Sequence, residues 1–321
     1  MAQPGAAKLR PEGAIGLVGG WRGVRWLLTG IGLLLLALVI FGVIPYDLHP
    51  NDSHAYWVVN PADPYRDARL GGVDAFLYAP AVAQLLAPFT HLPFEFFRVL
   101  LGAVSLGALA AAGAAYTLVV PGVMEDLVRG NIHVLLAAAI IAGFRWPGLW
   151  SAMLLTKVTP GVGLIWFAVR REWRALLQVA VVTGLIVGVS ILFFGIGVWQ
   201  EWIRLLATSA ESPRTYTYLG IAPPPLLVRM PLAVVVIAWG ALTNRRWAVP
   251  VGAFLALPVI WPSGFALLAA VPPLVIEDRR QGAPHGGMRE REARRPLRSP
   301  LSQAISGPRS PRRGATRRAG P

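Results

Sequence analysis

The sequence predicts an all-α membrane protein, a polytopic bundle of about 8–10 membrane segments that includes short broken-helix hairpins. Three observations carry this. The 321 residues are 55% hydrophobic and only 14% charged, with a mean hydropathy of +0.54, whereas soluble domains carry about 25% charged residues. Several apolar runs approach the ~20 residues that cross a bilayer core. The charge is also segregated: of the formal +14, the stretch Glu277–Pro321 alone contributes +8, from twelve Arg against four acids.

Residues 1–25 hold Lys8, Arg10, Arg22 and Arg25 against Glu12 and read as a cytoplasmic lead. The first span, Trp26–Ile44, is too long for a signal-peptide core, and no small-residue cleavage site follows it. The loop at residues 45–75 carries five acids, Asp47, Asp52, Asp63, Asp67 and Asp74, against Arg66 and Arg69. Its contrast with the basic lead places it outside. Phe76–Thr90 returns as a short second span and Phe97–Val120 is a third, rich in Ala and Gly that allow close helix approach. A fourth runs to Phe144 after a polar patch containing Glu125, Asp126, Arg129, Gly130, Asn131 and His133.

Trp146–Val169 has arginine on both flanks, Arg145 before it and Arg170, Arg171 and Arg174 after it. A single crossing would put one basic flank outside, so a pair of half-helices hinged near Lys157 and Pro160 is expected. The same reasoning divides Val249–Ile276 at the Trp261–Gly264 turn. Between them lie a span at Ala175–Val198, an external loop at Gln200–Pro225 and a span at Leu226–Leu242. Trp199, Trp202, Tyr216 and Tyr218 read as part of an interfacial aromatic belt. The transmembrane domain is thus 26–276 and both termini are cytoplasmic, in a multi-pass protein of the cell membrane. Residues 277–321, rich in Pro, Gly, Ser and Arg, read as a disordered basic tail lying against anionic headgroups, with no nucleic acid as partner.

No cysteine is present, which excludes disulfides, thiol catalysis and Cys-based metal sites. Walker, dinucleotide-binding, zincin and hydrolase-elbow signatures are absent too. What remains are polar residues where lipid makes them expensive. Asp52 can serve as a general base at a dry membrane mouth, or cap a short helix starting near Ser53. Tyr56 is a potential hydrogen-bonding partner. Arg66 and Arg69 suit phosphate contacts, or simple loop ion pairs. Lys157 lies inside an apolar segment, where an ammonium costs at least ~2.5 kcal/mol and therefore faces a cavity or an anionic partner, snorkelling being the alternative. Asn131 and His133 fit a site, or a helix cap and an interfacial residue. No ligand spacing among the acids compels a metal, and no cofactor is called for.

The order of these features resembles glycosyltransferase family 87. Asp52-x-x-x-Tyr56 follows the first span, and Tyr78-x-Pro80 opens the second, with Pro88 and Leu92–Pro93 beyond it. Gly130–Asn131 then begins a span, and Lys157-x-x-Pro160 precedes the basic turn. The resemblance covers about residues 26–200. It implies a GT-C fold and transfer of a sugar, mannose above all, from a polyprenyl-phosphate donor to a lipid or glycan acceptor on the extracytoplasmic face. It also implies inversion at the anomeric carbon with Asp52 as catalytic base. Lys157, Arg66, Arg69, Tyr56, Tyr78, Arg129, Asn131 and His133 are the expected substrate-binding residues. A transporter or lipid flippase, or a non-catalytic relative of the same fold, is the alternative.

Overall fold

The computed structural model describes residues 13–43, 52–66, 75–210 and 223–282. Among them the fold is all-helical, with no strand. Arg69, the acids Asp47, Asp67 and Asp74, the aromatics Tyr216 and Tyr218, and residues 1–12 and 283–321 lie outside the described residues.

Among the described residues three helices are long and apolar enough to cross a membrane: α1 (Gly13–Ile40) through its Gly20–Ile40 part, α4 (Phe94–Ala111) and α9 (Trp173–Phe194). Their surfaces identify the solvent. Trp26, Leu27 and Leu34 on α1, and Leu177, Leu185, Leu192 and Phe193 on α9, are exposed large apolar side chains. A helix apolar all round is stable only inside a large core or in hydrocarbon, and these faces are not covered by protein. The chain is that of a membrane protein.

The predicted second span is shorter than expected. α3 (Pro80–Leu86) begins at a proline, whose fixed φ suits a first helical turn, and it passes into a 3₁₀ turn at Ala87–Phe89. The predicted third span likewise stops at Ala111, and a separate 3₁₀ turn, Ala115–Val119, packs on α1. α5 (Val123–Arg129) and α6 (His133–Gly143) form a pair bent by 119°, counted together as a fourth potential span.

The break expected in Trp146–Val169 is found at Lys157. α7 (Trp150–Thr156) ends there, because Lys157 is extended (φ −128°, ψ 93°). A 3₁₀ turn with an early proline, Thr159–Leu164, then leads into α8 (Ile165–Val169). The second expected break also occurs, between α12 (Ala248–Leu255) and the 3₁₀ run Pro262–Ala270, which continues into α13 (Val271–Gly282).

The stretch read as the external loop Gln200–Pro225 requires correction, because it starts with α10 (Gly197–Ala210). Val198, Trp199, Trp202 and Leu206 recur at helical spacing. Trp199 and Trp202 bury against Ala79 and Leu155, and lipid-facing belt residues would not do so. α11 (Leu226–Leu242) pairs with α12. The buried Arg229 guanidinium fastens this pair by donating to the carbonyls of Pro224, Leu255 and Leu257 at 2.7 Å each and of Pro258 at 3.1 Å. Two of the basic turns meet, since Arg170 Nη1 donates to Ala241 O and Asn244 Oδ1 at 3.2 Å each.

Candidate active site

α2 (Asp52–Val58) carries Asp52 in its first turn and buries Ser53, Ala55 and Tyr56. One turn separates Asp52 from Tyr56, so both sit on the same helix face. The bend between α5 and α6 faces them. Gly130 ends α5 with φ +67°, a conformation that favours glycine. A Cβ there would meet Ser53 Cβ at 3.0 Å, so the glycine both turns the chain and lets α2 come close. The next residue, Asn131, is thereby delivered to Asp52.

Asn131 Nδ2 donates to Asp52 Oδ2 at 2.7 Å, a charge-assisted bond. Asn131 Oδ1 accepts from the Ile132 N–H at 2.8 Å and from the Tyr56 hydroxyl at 3.3 Å. The Tyr56 and Tyr78 hydroxyls are 2.7 Å apart, and Lys157 Nζ lies 5.5 Å from the centre of the Tyr78 ring. Lys157 also interacts electrostatically with the Asp52 and Asp126 carboxylates. Burial, reinforced by Tyr78 and Asp52, pushes the Tyr56 phenol well above its ordinary range, so it stays protonated.

Tyr78 is fixed through its backbone. The Tyr65 hydroxyl donates to Tyr78 O at 2.6 Å, Trp202 Nε1 to Leu77 O at 3.2 Å, and the Ala79 N–H to Leu155 O at 2.9 Å. The last bond satisfies a carbonyl left open at the end of α7, one residue pair before Lys157. The segment before α3 and the break after α7 are therefore tied together. Burial, and secondarily Glu201, raises the Tyr65 phenol far above its usual value, which keeps it a donor.

Asp52, Tyr56, Tyr78, Asn131 and Lys157 thus come together from four separate elements. His133 lies behind them. It is buried, and its ring Nδ1–H donates to Asp126 Oδ1 at 2.9 Å. Arg129, in the last turn of α5, lies 3.5 Å from Glu125. Arg66 stands apart from the cluster. It pairs with Asp63 at 2.7 Å on the rim of a separate polar pocket shared with Glu201, Arg204 and Thr208. Two neighbours lie outside the expected set of site residues. Ser263, in the Trp261–Gly264 turn, has its hydroxyl 3.4 Å from Asn131 Nδ2. Asp126 is fully buried beside the bend. Asp126 carries a signal in retrospect, an acid four residues before Gly130–Asn131. Ser263 carries none, because it arrives from 132 residues away.

Tyr56 and Tyr78 line a cavity of about 650 Å³, together with Gln84, Ser151, Thr156 and Ser190, and the rest of its wall is made of apolar side chains, most of them from α3, α4, α6, α7 and α9. Leu85, Leu185 and Phe193 line it and are also exposed on the apolar exterior. Among the described residues no group of three or more His, Asp and Glu is placed to hold a metal ion.

The sequence model of glycosyltransferase family 87 matches residues 76–277. The chain belongs to this family. No curated protein and no solved structure matches it. The match relocates the resemblance seen in the sequence. It runs far beyond residue 200, into the half that the short polar motifs do not reach, and it begins after Asp52 and Tyr56. Tyr78, Arg129, Asn131, His133 and Lys157 fall inside it, as does Ser263. Family membership makes the chain a membrane glycosyltransferase.

Proposed function

We propose that the chain transfers a hexose, mannose in our reading, from a polyprenyl-phosphate-sugar donor to a lipid or glycan acceptor on the extracytoplasmic face, with inversion. The observation that carries this reading is a large, mostly apolar cavity lined by two tyrosines, one of which is joined through Asn131 to a carboxylate. Asp52 supplies the carboxylate, Tyr56 and Tyr78 the hydroxyls nearest to it in the hydrogen-bond chain, and the walls of α3, α7 and α9 the apolar volume. An amphiphile with a hydrocarbon chain and a phosphate head fits that polarity, with the chain in the cavity and the phosphate at the tyrosines.

Asp52 takes the proton of the acceptor hydroxyl as that oxygen bonds to the anomeric carbon. The bond from this carbon to the phosphate oxygen breaks, and polyprenyl phosphate leaves with the electron pair. Negative charge then grows on the phosphate, where a fixed cation and neutral donors are most effective. Lys157, lying against the Tyr78 ring, and the Tyr78 hydroxyl supply them. Phosphate leaves without a general acid, so one carboxylate suffices where a glycosidase uses two. Asn131 holds Asp52 through Oδ2, and in this reading Oδ1 meets the acceptor hydroxyl.

Asp52→Asn tests the reading. Purified enzyme is incubated with labelled polyprenyl-phosphate sugars, and release of polyprenyl phosphate is followed. The variant is expected to insert normally and to lose at least 10³-fold in rate, within the range general-base catalysis contributes (roughly 10²–10⁴-fold). Wild-type rates in the variant would remove Asp52 from catalysis. Sugar transfer from a soluble nucleotide donor alone would overturn the donor class.

A further inference from the structure

Asp126 is a fully buried carboxylate that the mechanism above leaves unused. A buried carboxylate is very costly unless it is paired and hydrogen-bonded. Here one oxygen accepts from the His133 N–H at 3.2 Å and from the His133 ring at 2.9 Å, and the other accepts from the Val134 N–H at 2.8 Å. These are the first N–H groups of α6, which lack partners inside the helix, and the positive end of the helix dipole favours a negative charge there. An N-cap ordinarily sits next to the helix it caps. This one comes from the preceding helix, across the 119° bend. Its backbone carbonyl accepts the Asn131 N–H at 2.8 Å as well. Asp126 therefore grips the bend at Asn131 by its main chain and just beyond it, at residues 133 and 134, by its side chain.

We infer that Asp126 is a positioning residue for sugar transfer: it fixes the α5–α6 bend and, through it, the placement of Asn131 against Asp52. The inference rests on the reading of Asp52 as the base. Asn131 Nδ2 has one carboxylate oxygen to reach, at 2.7 Å, and a displacement of about 1 Å at a catalytic group costs on the order of 10²-fold in rate.

Asp126→Asn keeps the size of the side chain but turns an N–H₂ toward one of the α6 donors. The expected result is a 10- to 100-fold loss in kcat, on the scale of such a misplacement, with the donor KM within about twofold of wild type. The deciding measurement is a double-mutant cycle with Asn131→Ala. If Asp126 acts through Asn131, adding Asp126→Asn to Asn131→Ala slows the enzyme by less than about twofold. Multiplying losses would overturn the inference, as would an unchanged kcat in Asp126→Asn. If Asp126→Asn does not accumulate in the membrane, Asp126→Glu takes its place in the same cycle. It retains the charge and both acceptor oxygens while displacing the bend by one methylene. Asp52→Asn is assayed in parallel. Full activity there would remove the base itself, an outcome distinct from additivity in the cycle.

Discussion

Gly130→Ala links the fold to the chemistry in one methyl group. Residue 130 has φ +67°, which costs an L-residue roughly 1–2 kcal/mol. The new Cβ would stand 3.0 Å from Ser53 Cβ and 3.1 Å from Arg98 Cγ. The Arg98 stem can shift, although its guanidinium is held by Glu95 and by Val128 O. Ser53 is buried on α2 and can move only with that helix. Overpacking of this kind costs about 1–3 kcal/mol, so the two contributions together come to roughly 2–5 kcal/mol. Relief by moving α2 outward separates Asp52 from Asn131, now 2.7 Å apart. The expected outcome is a melting temperature lowered by several degrees in detergent and a kcat reduced about 10- to 100-fold in the fraction that remains folded. Thermal unfolding and donor turnover on the same preparation measure both. A variant with wild-type stability and turnover would refute the close-packing argument and, with it, the coupling of α2 to the bend.

Lys157→Ala is expected to lower kcat/KM for the lipid donor roughly 10- to 100-fold, the loss of one hydrogen bond to a charged group. Equal turnover with and without the lysine would exclude it from the phosphate site. The chain has no native cysteine, so Ala62→Cys, at an exposed position, gives a single label. A membrane-impermeant maleimide is expected to react with it from outside intact cells, and reaction only after the cytoplasmic face is opened would invert the proposed topology.

Much of the site was legible because membrane chemistry makes polar residues informative. Lys157 in an apolar run with Pro160 three residues on marks both a helix break and a buried charge, and the chain breaks there. Gly130–Asn131 marks the start of a span, but the 119° bend that it makes with the preceding helix was not expected. The pairing of Asp52 with Asn131 was not legible, since 79 residues separate them. Nor was the extended run that ends at Ala79, because its partners Tyr65, Trp202 and Leu155 are tertiary. The shortened second span has the same origin: those bonds hold the residues before Pro80 out of a helix. α10 was readable from its period but was masked by its polar content, which suggested a loop. Arg66 shows the opposite hazard. Its residue type suits phosphate, and the structure pairs it with Asp63 in a pocket that does not include Tyr56 or Tyr78.

The rim of the 650 Å³ cavity has a kinetic consequence. Leu85, Leu185 and Phe193 belong to both the cavity wall and the exposed apolar surface, so the lipid donor proposed above would reach the tyrosines by sliding sideways out of the leaflet. The relevant concentration is then a mole fraction in two dimensions. Adding inert lipid or detergent at constant donor per volume would slow the enzyme by dilution within the surface. Saturation curves plotted against bulk molarity would shift with every change of micelle content, and would superimpose once plotted against surface fraction.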